Sequence, residues 1–270
     1  MRPSFFRTLL AGLLLALAAL PTLAAAAACP RIVSQSPYIT HALVWMGLAD
    51  CIVGVSRYDT LDRPQTGGVI DPDKAMIDRL QPQLMITSDW TKPEIWQAAA
   101  PKGAVALRVG GFRGMADVEA MLREIGHAAG VADIDARVDR YAADWRAAAA
   151  RVGGKGRRVL LLSACTGAPH SFGRGTTLYE LFNAAGFDVV ADHDSIRNFR
   201  VDGPAAELPD WLDARHPDLI FALKNHRDEA CNTTIVRPGI AIVPLDGAHF
   251  IHPGPDLLIG LQELRAAMQP

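Results

Sequence analysis

The chain is 270 residues long and half hydrophobic, with 27 Lys and Arg against 29 Asp and Glu and a net charge of −2. With no basic run longer than a few residues, that balance argues against a nucleic-acid partner. The length suits one large or two modest domains.

Arg2 and Arg7 precede an uncharged apolar run, Leu9 to Leu20, which Pro21 and the alanines 24–28 follow. A positive start, a short apolar segment and small residues in that order read as a secretory signal peptide over 1–28. The run is shorter than the roughly 20 residues a spanning helix needs. No later segment is a better candidate, so no stable membrane insertion is expected. Cys29 raises the alternative of a lipid anchor, but the large aliphatic residue usual three positions earlier is replaced by Ala26. Ordinary cleavage and a periplasmic location are the expectation.

After the leader, short β-rich runs alternate with helical patterns. Strands are expected at 31–36, 52–56, 84–87 and 105–109. Ser36 and Pro37 form a cap-then-proline start for a helix carrying Ile39, Leu43 and Met46, and Asp71 and Pro72 repeat the signal for a helix ending near Leu80. From Val131 the apolar residues Ile134, Val138, Tyr141, Trp145, Ala148 and Val152 fall three and four apart, one stripe on a long helix that Gly153 and Gly154 close. A strand at 159–163, a helix at 177–185, strands at 219–223 and 240–243 and a final helix at 256–268 follow. This alternation predicts an α/β protein of two lobes, each with a mainly parallel sheet flanked by helices, joined by one long helix. Its divisions are an N-terminal lobe at 29–130, an interdomain helix at 131–153 and a C-terminal lobe at 154–270.

Export places the four cysteines where disulfides persist. Cys29 and Cys51 each precede a predicted strand, and Cys165 and Cys231 each follow one. The expected pairs are Cys29–Cys51 and Cys165–Cys231, with buried free thiols as the alternative.

Four segments carry a resemblance. They are Arg31-Ile-Val-Ser-Gln-Ser-Pro37 with Gly47 to Ser56; Asp71-Pro-Asp through Ile86; Gly173 to Gly186; and His216-Pro-Asp-Leu-Ile220 with His252-Pro-Gly-Pro-Asp-Leu257. In this order they resemble the periplasmic binding proteins for cobalamin, ferric siderophores and haem, whose two lobes are bridged by one rigid helix. The resemblance implies a monomeric carrier with no intrinsic cofactor. It would take a ferric siderophore or cobalamin-like corrinoid in the interlobe cleft and deliver it to an inner-membrane ABC permease.

Ligands of open α/β sheets bind beyond the carboxyl ends of the strands. The loops expected there hold Tyr58, Trp90, Phe112 with Arg113, His170, Phe172, Arg174, Lys224, His226 and Phe250. Flat aromatics and cations suit a bulky, partly anionic chelate; Trp90 stands about where cobalamin-binding relatives place a stacking tryptophan. Packing is the alternative role for Trp90, Tyr58 and Phe172, and a solvated surface position for Arg174. The cations tilt the ligand expectation toward a siderophore. Where haem-binding relatives often place a tyrosine ligand, this chain has Gly67, Gly68 and Val69. The family also docks on its permease through one acidic residue per lobe: Asp210 stands at the second position, but Ala75 occupies the first, with Asp73 and Asp78 nearby. That departure keeps open a periplasmic metal or haem carrier or sensor that docks on no importer.

Enzymatic readings lack support, since no nucleophile elbow, zinc-protease helix, phosphate loop or dinucleotide fingerprint occurs. The histidines show no H-x-x-x-H spacing, and no metal site is expected.

Overall fold

The computed structural model describes residues 29–163, 168–200, 207–224 and 239–269. The predicted leader, Cys165, His226 and Cys231 lie outside them.

The first lobe is a four-stranded, fully parallel sheet of β1 (Ile32–Ser34), β2 (Ile52–Val55), β3 (Leu84–Ser88) and β4 (Val105–Val109), in the order β2-β1-β3-β4. Helices α1 (Pro37–Trp45), α2 (Lys74–Leu80), α3 (Pro93–Ala99) and α4 (Met115–Ala128) accompany it. Strand β3 is buried along its whole length, as expected where helices cover both faces. Cys29 and Cys51 are joined by a disulfide that ties the chain before β1 to the turn before β2.

Helix α2 starts later than its sequence signal. Its cap is Asp73, whose carboxylate accepts the Met76 N–H at 3.1 Å. Asp71 is engaged elsewhere: its carboxylate takes the Arg57 guanidinium at 2.6 Å and its carbonyl accepts the Gly68 N–H. Pro37 does open α1, although the Ser36 side chain makes no capping bond.

Helix α5 (Ile134–Ala150) follows, 17 residues and about 25 Å long at 1.5 Å per residue. It is shorter at both ends than the apolar stripe, because Val131 and Val152 sit in the flanking turns. Ile134, Val138, Tyr141, Trp145 and Ala149 are buried, and they join residues of both sheets in one continuous core. At Gly126 on α4 an added Cβ would fall 2.1 Å from Ile134, so α4 and α5 touch backbone to side chain there.

The second lobe has the mainly parallel sheet expected, with an antiparallel edge. Strands β5 (Arg158–Ser163), β7 (Asp188–Val189), β9 (Leu219–Lys224) and β10 (Ala241–Asp246) are parallel. Two short strands, β6 (His170–Phe172) and β8 (Ile196–Asn198), return antiparallel along the edge in the order β10-β9-β5-β6-β8. Helices α6 (Thr177–Ala184), α7 (Leu208–Arg215) and α8 (Leu257–Ala267) pack around it. His170 and Phe172 therefore stand on a strand, where a loop was expected. His170 pairs with Ser163 in β5 and with Asn198 in β8, and Phe172 pairs with Ile196 in β8, so the strand depends on a partner more than 20 residues further along the chain. Among the described residues no helix is long and apolar enough to cross a membrane.

Candidate functional site

The carboxyl ends of the strands in both lobes converge on a cavity of about 310 Å³, within the usual range for small-ligand sites. Trp90 follows β3, Phe112 and Arg113 follow β4, Phe172 stands on β6, Thr177 opens α6, and Phe250, Ile251 and Pro253 follow β10. The lining is mainly apolar.

Three rings run from the first-lobe core to the mouth. Tyr38, fully buried in α1, donates its hydroxyl to the Val109 carbonyl at 3.0 Å, and burial pushes its phenol well above the usual range. Phe112 meets Tyr38 edge to face, with centroids 5.1 Å apart at 73°. Trp90 stacks on Phe112 with centroids 4.7 Å apart at 26°, yet remains 59 % exposed. An indole supported on one face and open to solvent on the other is a ready stacking surface.

The loop carrying Trp90 is fixed from below. Arg108 on β4 donates to the carbonyls of Asp89 (2.5 Å) and Thr91 (2.7 Å), and the Trp90 N–H donates to the Ser88 hydroxyl. Thr91 in turn donates to the Val69 carbonyl at 2.6 Å. Buried Gln35 donates to the carbonyls of Thr66 and Gly68, so the 66–73 segment is anchored as well.

The two lobes are stitched together at the cavity floor. Thr177 in α6 donates its hydroxyl to the Gly111 carbonyl (2.8 Å) and accepts the Gly114 N–H (3.1 Å), while its own N–H donates to the Phe112 carbonyl. Glu180 accepts the Met115 N–H at 2.8 Å. Gly114 has φ +132°, and a Cβ there would lie 2.5 Å from the Glu180 carboxylate, so no other residue fits without displacement. Behind this floor the Tyr141 hydroxyl donates to the Gly254 carbonyl, and Arg137 donates to the Met46 carbonyl. Helix α5 is thereby bonded to both halves.

Of the residues expected to contact ligand, Trp90, Phe112, Phe172 and Phe250 line this cavity. Phe250 is 1 % exposed and packs on Phe182 and against Gly260, so it serves as floor. Tyr58 is exposed outside the lining. His170 lies half-buried on β6, its ring edge-on to Phe172, and burial lowers its pKa. Arg174 points to Asp194 at 4.0 Å, and Lys224 is exposed at the end of β9; neither lines the cavity.

Among the described residues the lining cation is Arg113. The sequence placed Arg113 in the loop after β4, but nothing in local pattern ranked it above Arg174. The contributions of Ser195 and Ile196, and of the α6 start with Thr176 and Thr177, went unread in the sequence, because β8 and the fold-back of 173–177 depend on long-range contacts. Among the described residues no group of three His, Cys, Asp or Glu is arranged to hold a metal ion. Ser171 and His193 lie 2.7 Å apart, but Ser171 is fully buried and makes no accessible nucleophile.

Set beside known structures, this architecture is familiar. A periplasmic heme-binding protein, RhuT, from Roseiflexus sp. RS-1 superposes with a TM-score of 0.73 at 20 % identity, over 88 % of this chain and 97 % of that one. The chain has the fold of the periplasmic substrate-binding proteins. The heme-binding protein HutB of Vibrio cholerae matches at TM-score 0.72 and 16 % identity, over 89 % of this chain and 99 % of that one. The vitamin B12 binding protein BtuF of Vibrio cholerae matches at 0.65 and 16 %, over 89 % and 96 %. No family model and no curated protein matches the chain. Within this binding-protein fold, the Trp90–Phe112 stack and the stitched floor are features of this chain's own residues.

Proposed function

We propose that this protein captures a flat, macrocyclic metal chelate in the interlobe cavity and hands it to a membrane permease. The observation that carries the reading is Trp90, stacked on Phe112 and otherwise open, at the mouth of an apolar cavity where the strand ends of both lobes meet. One face of a planar ligand lies against the indole, and its edge meets Phe172 and Pro253. The fold's heme- and B12-binding members are named for ligands of this chemical kind.

The sequence tilted toward a ferric siderophore because of the cations in the strand-end loops, of which Arg174 and Lys224 stand outside the lining and Arg113 within it. With one cation in the described lining, a haem- or corrinoid-like macrocycle is favoured over a polyanionic chelate. Delivery by a periplasmic monomer, released from a leader at 1–28, completes the reading. Its docking contact on the second lobe is Asp210, exposed in the first turn of α7. On the first lobe Ala75 is exposed, Asp73 is occupied as a helix cap, and Asp78 is paired with Lys74 at 2.8 Å. This is the observation that favours the second reading, a carrier that docks on no importer.

The test is a tryptophan-fluorescence titration of the mature protein with haem, cobalamin and a panel of ferric siderophores. Saturable quenching by a macrocycle at micromolar concentration or below is expected. A folded protein that responds to none of them refutes the reading. Asp210→Lys separates the two alternatives, since it weakens uptake without changing ligand affinity only if docking occurs.

A further inference from the structure

We propose that Arg113, held between Asp89 and Asp117, makes the site discriminate by charge, taking a macrocyclic chelate with one carboxylate in preference to the same chelate with two. This rests on the ligand class proposed above.

Arg113 lines the cavity beside Trp90 and Phe112, with its side chain 72 % exposed. Its Nη2 lies 3.8 Å from Asp89 and its Nε 3.6 Å from Asp117. Both contacts are long, so the guanidinium keeps donors for a ligand, and its planar fork matches one carboxylate. Asp117 is held in place. Asp117 Oδ2 also accepts the N–H groups of Gly111 (2.8 Å) and Arg113 (3.2 Å), and turning away would leave both donors unpaired. The Asp89 backbone is set by its N–H, which donates to the Val109 carbonyl at 2.8 Å, and its Oδ1 is buried without a hydrogen-bond partner. Gly110 leaves room for this cluster, for a Cβ there would stand 3.0 Å from Asp117 and 3.4 Å from the guanidinium.

One cation thus faces two carboxylates. A first ligand carboxylate gains charge-assisted hydrogen bonds from Arg113 that offset the repulsion of its neighbours. A second gains no cation from the described lining and meets the remaining negative field. Specificity here comes from the repulsive partners as much as from the arginine.

Three forms of one metalloporphyrin, the diacid, the monomethyl ester and the dimethyl ester, provide the probe. Each is titrated against the wild-type protein, Asp89→Asn and Arg113→Gln, with near-ultraviolet circular dichroism confirming the fold of each variant. The wild type is expected to bind the monoester about threefold to fivefold more tightly than the diacid, the scale of one exposed charge pair. Asp89→Asn shrinks that gap by improving the diacid, and Arg113→Gln reduces the monoester to the level of the dimethyl ester. A diacid that binds the wild type as tightly as the monoester, or a gap that survives Asp89→Asn, overturns the proposal while leaving macrocycle capture intact. Failure of all three forms to bind overturns macrocycle capture and the charge preference together.

Discussion

His41 Nδ1 on α1 lies 2.6 Å from the Asp256 carboxylate at the start of α8, an ion pair that joins the first lobe directly to the second. The hydrogen bond to Asp256 raises the His41 pKa, and the same bond lowers that of Asp256. Buried Asp59 faces the pair from the loop after β2, its own pKa raised by burial; His252 and His249 face it from the segment before α8. The clasp is fully formed between the lowered pKa of Asp256 and the raised pKa of His41. Its His41 contribution is present below the ordinary histidine value and is lost as pH rises through the raised one. Asp256→Asn is therefore expected to cost about 1–2 kcal/mol at pH 6 and clearly less at pH 8.5. Urea midpoints at the two pH values check this.

His252 shows the opposite sign. Burial and the nearby His41 hold it down to about 4, so it is neutral in the folded protein at pH 7. Stability from the neutral ring is present above the unfolded value near 6.5 and drains away as pH falls toward 4. At 1.36 kcal/mol per pH unit the loss is about 3 kcal/mol. His252→Phe should flatten the acid limb of a stability-versus-pH curve between pH 6.5 and 4. An unchanged slope would place the acid lability elsewhere.

Trp90 is exposed and rests on Phe112, so its loss removes contact surface more than core. Trp90→Ala is expected to weaken macrocycle binding by about 1–3 kcal/mol, roughly fivefold to a hundredfold, while shifting stability by less than about 0.5 kcal/mol. Absorbance titration with haem and a urea melt read the two quantities separately. Phe112→Ala, which also strips the Tyr38 contact, should lower both.

The floor predicts a stiff hinge. With Thr177, Glu180, Tyr141 and Arg137 all bonded across it, closure on ligand should be small, and scattering curves with and without a bound macrocycle should nearly coincide. Thr177→Val leaves the Gly111 carbonyl and the Gly114 N–H without the hydroxyl that pairs them, at a cost of about 1–3 kcal/mol. The same variant should widen the spread of interlobe distances measured by paired spin labels.

Helix α1 with Pro37 at its start, strand β4 at 105–109 and the stripe of α5 were legible because each depends on residues a few positions apart. Side-chain periodicity and proline geometry act within one turn or one strand. The loops after β3, β4 and β10 were legible for the same reason, which brought Trp90, Phe112 and Phe250 to notice together.

What the tertiary structure decided involves partners far apart in the chain. Strands β6 and β8 are three residues each and exist only because β5 and each other supply their hydrogen bonds. Asp73 rather than Asp71 caps α2 because Arg57, 14 residues away, occupies Asp71. Arg113 lines the cavity while Arg174 turns to Asp194, and His41 finds Asp256 more than 200 residues on. The sequence by itself determined the alternation of strands and helices and the aromatic supply of the loops. Which cation lines the cavity, and which contacts lock the lobes, depended on the folded chain, because electrostatic partners are chosen by distance in space and carry no periodic signature in the sequence.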